Sequence, residues 1–126
     1  MRAGLGALSA VALGACASAS PEGAHVSDGT LPTTHWPGGS PRWRLVRPDP
    51  AVAVSPRLVV ALHGKGGSVG DAAHLGLEDA GVRLGLAVAS VDCGGSYFHA
   101  RRDGSDVGAM VVEDLLPVLR SHGVSA

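Results

Sequence analysis

Residues 57–68, with the sequence RLVVALHGKGGS, place an aliphatic run directly before a glycine-rich turn. The run from Arg57 to Leu62 contains no polar interruption, which is typical of a strand covered on both faces in a parallel sheet. We therefore expect this strand to be central in the fold. The turn from His63 to Gly67 ends the strand, because glycines in a row favour a change of chain direction.

The segments that follow alternate between helical and extended patterns. A helix is predicted over residues 69–80, since Ser68 and Asp71 have the spacing of a capping box. The aliphatic residues 84–91 predict the next strand, and residues 105–122 place their apolar side chains on one helical stripe. This order of elements predicts an α/β fold with a partial, parallel, doubly wound sheet.

Two further segments extend the prediction: one adds an edge strand to the sheet, and the other bends the last helix. Residues 42–47, RWRLVR, alternate between apolar residues and arginine, which predicts a half-buried first strand at the sheet edge. Pro117 lies inside the last predicted helix and is expected to kink it, because proline has no N–H to donate. About three strands are thus expected, with one edge left uncovered.

The amino-terminal part has the features of an export signal. Residues 1–15 contain an apolar run shorter than the roughly eighteen residues of a membrane span, which is typical of a signal peptide. Cys16 follows Leu-Gly-Ala, as in a bacterial lipoprotein cleavage box, so we expect a lipid anchor on the outer face of the cell membrane; ordinary secretory cleavage is the alternative. Residues 16–41 are predicted to be a flexible tether, and residues 42–126 the folded domain.

Composition excludes several classes of function. The chain has 126 residues and a net charge of −1, which allows one small domain and gives no basic surface for nucleic acid. The six histidines show no zinc-ligand spacing and there is no CxxC pair, so neither a metal site nor a cofactor is expected. If Cys16 carries a lipid, Cys93 is left without a cysteine partner.

The glycine-rich turn at 62–68 resembles the HGxGG-like loop of α/β-hydrolase esterases, of the kind related to feruloyl esterases and mycolyltransferases. Three later segments are similar to the same family: SYFH at 96–99, DGSDVGAM at 103–110 and EDLLP at 113–117. The resemblance extends from about Arg57 to the end of the sequence. It implies the amino-terminal half of an α/β-hydrolase domain that acts on a small-molecule or lipid carboxylic ester.

The resemblance also implies roles for individual residues. In this family, backbone N–H groups of the loop bind the oxygen that becomes negative during ester cleavage. The implied donor is the backbone N–H of Lys65, with Gly66 as a second donor. The implied role of five further residues is substrate contact: His63, Gly64, Tyr97, Phe98 and His99. For Tyr97 and Phe98, packing of the loop is an equal alternative.

The catalytic triad of the family runs serine, acid, histidine along the chain, and none of the three is assigned here. The strand expected to carry the GxSxG turn would begin at Val124, so we expect the chain as given to stop before the nucleophile and to be inactive. Residues 66–70 match GxSxG formally, but three residues separate this motif from the preceding strand. Ser68 is better placed to accept N–H bonds at the start of a helix.

Two alternatives come from other classes of protein. One is a non-catalytic exported lipoprotein domain, or a decayed hydrolase remnant, that uses the same half-fold as a binding surface. The other is a nucleotide-binding α/β domain, because Lys65 and two glycines follow a hydrophobic strand. The expected phosphate-binding residues are missing, however, and Asp71 places a negative charge where phosphates would lie.

Overall fold

In the computed structural model, which describes residues 19–126, four strands form one sheet. The strands are β1 (Ala24–Thr30), β2 (Arg42–Pro48), β3 (Leu58–Ala61) and β4 (Ala87–Val91). Their order is β1-β2-β4-β3, with β3 and β4 parallel and the other two pairs antiparallel. The fold is α/β as predicted, but the expectation of an all-parallel sheet is wrong.

Helices cover both faces of this sheet. They are α1 (Asp71–His74), α2 (Leu77–Arg83), α3 (Val107–Ala109), a π-helical stretch (Met110–Leu115) and α4 (Leu116–Ser121). The last three run on without a break and are called the carboxyl-terminal helix. This helix packs with the apolar side chains of one sheet face, whereas α2 packs against β2 and β4 on the other face.

The strand β1 lies inside the segment predicted to be a tether. It pairs with β2 over its whole length, from Ala24 opposite Pro48 to Thr30 opposite Arg42. Leu31 follows with 1% of its surface exposed and belongs to the core. The tether prediction is therefore wrong from Ala24 onward. The small and polar residues of this segment are typical of a linker, but main-chain hydrogen bonds to β2 order it as a strand. The same pairing makes β2 an interior strand and not the predicted edge.

The buried strand of the sheet is β4 and not β3. All five residues of β4 are buried, while Val59 in β3 is 44% exposed. Within residues 19–126 a strand pairs with β3 on one side only. On the other side Ser125 forms a parallel bridge to the start of β3: its N–H donates to the Pro56 carbonyl at 2.9 Å, and its carbonyl accepts from Leu58 N–H at 3.0 Å. The prediction of a central β3 is thus wrong for this part of the chain.

The helix predicted over 69–80 is two short helices. Gly76 between them has φ +73°, a conformation that glycine adopts without strain. Gly81 lies inside α2, where a Cβ atom would overlap a methyl group of Val88 in β4. The glycine at this position therefore serves close packing of α2 on the sheet.

The carboxyl-terminal helix begins at Val107 after Asp106, whose Oδ1 accepts a hydrogen bond from Ala109 N–H at 2.9 Å. The predicted apolar stripe is confirmed, with Leu115 and Leu119 fully buried. The helix is π-helical over Met110–Leu115 and α-helical from Leu116, so Pro117 lies in the first turn of α4. Proline is tolerated there, because the N–H groups of a first turn have no partner within the helix; the predicted kink stays a prediction.

Two predictions about the membrane fall outside these observations. The predicted signal peptide, residues 1–15, and the lipidation site Cys16 lie outside the described residues. Across residues 19–126, no helix has the length and apolar character needed to cross a membrane.

Candidate functional site

Three loops meet at the carboxyl ends of β3 and β4, where α/β folds form their binding crevices. The first, residues 62–70, leaves β3, and the second, residues 92–106, leaves β4. The N–H of Gly66 in the first loop donates to the carbonyl of Gly94 in the second at 3.3 Å. The third loop joins β1 to β2 and places the ring of Trp36 beside Gly94.

His63 connects the first two loops through both of its ring nitrogens. Its Nε2 lies 3.0 Å from the backbone nitrogen of Cys93, and its Nδ1 lies 2.7 Å from the carbonyl oxygen of Gly64. Because a backbone N–H can only donate, Nε2 must accept, and the ring proton therefore resides on Nδ1 and is donated to Gly64. The ring also forms a T-shaped contact with Phe98, with 6.0 Å between the ring centroids. Neither nitrogen of the predicted substrate-binding histidine is left free for a ligand.

The N–H groups of the glycine-rich turn divide into occupied and unoccupied donors. Gly66 donates to Gly94, and Gly67 donates to the Gly64 carbonyl at 3.0 Å. The N–H of Lys65 and that of Gly64 have no acceptor among the described residues. Of the two predicted oxyanion donors, Lys65 is therefore the one that is open, and Gly66 would first have to release Gly94.

The three N–H groups directly before α1 all donate to side-chain oxygens. Ser68 N–H donates to Asp71 Oδ1 at 3.2 Å, Val69 N–H to Asp92 Oδ1 at 2.5 Å, and Gly70 N–H to Ser68 Oγ at 3.2 Å. Two carboxylates thus bind N–H groups of the turn before α1, and their negative charge argues against the nucleotide-binding alternative. The predicted cap is wrong in its position: the helix is preceded by Gly70 and has no side-chain cap bond, although Ser68 N–H donates to Asp71.

A cavity of about 100 Å³ lies beside the turn and includes His63, Ser68 and Asp71 in its lining. These are the residue types of a catalytic triad, but their hydrogen bonds do not follow the triad pattern. The Ser68 hydroxyl lies 3.5 Å from Asp71 Oδ1, and both His63 nitrogens are bonded elsewhere. The site therefore contains no histidine base poised to activate Ser68.

The aromatic residues of the second loop have two different environments. Tyr97 and His99 stack with their rings 6.0 Å apart and nearly parallel, and Tyr97 is 52% exposed. Phe98 is partly buried and packs against the main hydrophobic core. The stacked pair is thus accessible to a ligand, whereas Phe98 joins the loop to the core and to His63.

Cys93 is a buried free thiol at the start of the second loop. Its Sγ donates to the Ser96 carbonyl at 3.3 Å. Burial raises the pKa of this thiol, and the negative charge of neighbouring Asp92 raises it further. The thiol is therefore a packing group of the loop rather than an activated nucleophile.

The third loop is a part of the site that the sequence did not reveal. Thr33 Oγ1 donates to Asp114 Oδ2 at 2.6 Å, and His35 Nε2 lies 3.0 Å from Glu113 Oε2. These contacts fix the loop to the carboxyl-terminal helix and so hold Trp36 at the crevice. Two large apolar residues within a supposedly flexible tether, Leu31 and Trp36, were the local signals that this segment is packed.

Neither metal ligation nor similarity to other proteins adds a functional assignment for this site. No cluster of three or more His, Cys, Asp or Glu side chains in residues 19–126 could hold a metal ion. No family model, no curated protein and no solved structure matches this chain.

Proposed function

We propose that this chain is the amino-terminal part of a serine-type carboxylic ester hydrolase of the α/β-hydrolase type, and that it contributes the oxyanion-binding turn. The observation that carries the proposal is the unoccupied N–H of Lys65 in a fixed turn at the carboxyl end of β3. That turn is held in place by two hydrogen bonds with the neighbouring loop: His63 Nε2 accepts from Cys93 N–H, and Gly66 N–H donates to the Gly94 carbonyl.

The chemistry of ester cleavage explains why such a donor matters. Attack on the ester carbonyl converts its oxygen into an oxyanion, and a preorganised N–H at hydrogen-bonding distance stabilises that charge without reorganisation of solvent. Removal of one such donor typically lowers kcat by about 10²–10³-fold. Glycine on both sides of Lys65 keeps Cβ atoms away from the approach path of the substrate.

The proposal assigns the nucleophile to a strand beside β3 and not to Ser68. Support comes from Ser125, which forms an isolated parallel bridge at this edge through its bonds to Pro56 and Leu58. Adjacent strands lie about 4.8 Å apart, and the carboxyl ends of parallel strands share one edge of a sheet. A GxSxG turn at the end of such a strand would therefore stand next to Lys65.

Substrate contact in this proposal falls to Tyr97 and His99 of the second loop. They form an exposed aromatic pair, which suits an acyl or alcohol group with apolar surface. The proposed substrate is a small-molecule or lipid ester, and no cofactor takes part. A lipid on Cys16 of an exported protein would hold this site at the outer face of the cell membrane.

A fluorophosphonate probe tests the assignment of the nucleophile. We expect no covalent labelling of the 126-residue chain or of its Ser68→Ala variant. Labelling that disappears in Ser68→Ala would contradict the proposal. The second part of the test is the DNA sequence downstream of the Ala126 codon. We expect it to encode an apolar strand and a GxSxG motif within about ten residues. A stop codon at that point would favour the non-catalytic lipoprotein domain.

A further inference from the structure

The peptide group between Gly64 and Lys65 contains the Gly64 carbonyl oxygen, which is hydrogen-bonded, and the Lys65 N–H, which has no acceptor among the described residues. Its carbonyl oxygen accepts two hydrogen bonds, from His63 Nδ1 at 2.7 Å and from Gly67 N–H at 3.0 Å. In a planar trans peptide the C=O and N–H bonds point in opposite directions. The direction of the Lys65 N–H is therefore set by whatever holds the Gly64 carbonyl.

The Gly64 side of this peptide is less restricted than it would be in another residue. Gly64 has no Cβ, so its ψ angle has a wider allowed range, and the hydrogen bonds to its carbonyl oxygen select one orientation of the peptide plane. A flip of the peptide plane would exchange the positions of the carbonyl and the N–H. It would then present a carbonyl oxygen, which repels an oxyanion, where the donor now stands.

We propose that His63 is a positioning residue that fixes the direction of the Lys65 N–H. The backbone N–H of Cys93 selects the ring form that carries its proton on Nδ1, and that proton holds the Gly64 carbonyl. The loop after β4 thus determines, through the imidazole, which way the donor after β3 points. Only the catalytic consequence of this inference rests on the proposed function, because all of the hydrogen bonds involved lie within this chain.

Three substitutions separate the two hydrogen bonds of His63. In His63→Asn the amide nitrogen takes the place of Nδ1 and can donate to Gly64, but it cannot reach Cys93. In His63→Gln the side-chain oxygen takes the place of Nε2 and can accept from Cys93, but the bond to Gly64 is lost. His63→Phe retains a ring of similar size and makes neither bond.

The readout is the amide spectrum of the ¹⁵N-labelled 126-residue chain during titration with phenylphosphonate, a tetrahedral oxyanion. We expect Cys93 N–H exchange to stay slow in wild type and His63→Gln, and to accelerate in His63→Asn and His63→Phe. We expect phenylphosphonate binding at Lys65 to be retained best by His63→Asn and to weaken about tenfold in His63→Gln and His63→Phe, the value of one hydrogen bond. A purely structural role would change both readouts together.

The ring form of His63 supplies a check that needs no variant. The imidazole ¹⁵N spectrum of the wild-type chain should show the proton on Nδ1, and a proton on Nε2 would overturn the inference. Equal phenylphosphonate binding by wild type and His63→Phe, both folded, would also overturn it. Absence of binding by wild type would instead count against the proposed function, and the ring form and the exchange pattern of Cys93 would still decide the role of His63.

Discussion

The guanidinium of Arg44 binds the carboxylate of Glu78 through two hydrogen bonds, from Nε to Oε1 at 2.8 Å and from Nη2 to Oε2 at 3.1 Å. The pair connects β2 to α2, and Glu78 is only 2% exposed. The hydrogen bond to Glu78 raises the pKa of Arg44 despite the opposing effect of burial. The pair is therefore an ionised, bidentate link between sheet and helix.

Removal of one partner of this pair should destabilise the fold strongly. Glu78→Ala leaves the partly buried Arg44 without its counter-charge, and we expect a loss of about 3 kcal/mol in the free energy of unfolding. The double variant Arg44→Met with Glu78→Leu should lose clearly less, because it leaves no buried charge. Urea denaturation measures both, and a loss below about 0.5 kcal/mol for Glu78→Ala, the size of a surface effect, would contradict this account.

The contact between Gly81 and Val88 predicts a second stability effect. Alanine favours a helix by about 1 kcal/mol over glycine, but the added Cβ at position 81 overlaps Val88 and forces α2 away from β4. We expect Gly81→Ala to destabilise the protein by about 1–2 kcal/mol net, as overpacking does. Gly95→Ala is the matched control, since its Cβ meets nothing within 4 Å. Thermal unfolding that shows equal stability of the two variants would refute the packing argument.

Asp103 should titrate at unusually low pH. Its Oδ1 accepts hydrogen bonds from the Ser105 hydroxyl at 2.6 Å and the Ser105 N–H at 2.9 Å, and these bonds lower the pKa of Asp103 below the ordinary value of 3.8. The stabilisation is present above the pKa of the unfolded chain and is lost as the pH falls through the folded pKa. Carboxyl ¹³C NMR should show a midpoint below 3.8 that rises in Ser105→Ala. A midpoint unchanged by that substitution would disprove the assigned cause.

Cys93 should react slowly with thiol reagents in the folded protein. Burial raises the pKa of the thiol and also blocks access to it, and the thiolate is the reactive form. In a Cys16→Ala background, modification by a disulfide reagent at pH 8 should be slow without denaturant and fast in concentrated urea. Equal rates under the two conditions would show that the thiol is exposed.

The strongest sequence patterns predicted the elements on which the site is built. The aliphatic run before His63, the aliphatic stretch that becomes β4 and the apolar stripe of the carboxyl-terminal helix all depend on local periodicity, which a single sequence displays. Their boundaries shifted by a few residues, as with β3, which begins at Leu58 and ends at Ala61.

What the sequence concealed depends on contacts between distant residues. Ala24–Thr30 contains a single large aliphatic residue, Val26, and becomes a strand only because β2 pairs with it. The mixed strand directions come from the antiparallel pairs that β2 forms with β1 and with β4, which no local pattern encodes. In the site, the proposed role of the Lys65 N–H stays a prediction, whereas the hydrogen bond from Cys93 N–H to His63 joins residues thirty positions apart and has no sequence signature.

The central claim is that the N–H of Lys65 faces the crevice and binds a developing oxyanion. Titration of the ¹⁵N-labelled wild-type chain with phenylphosphonate tests it most directly. The account predicts a saturable downfield shift of the Lys65 amide proton, with smaller changes at Gly66 and Gly67, whose N–H groups are already bonded. A Lys65 amide that does not respond, or that is protected from exchange as strongly as the amides of β4, would contradict it.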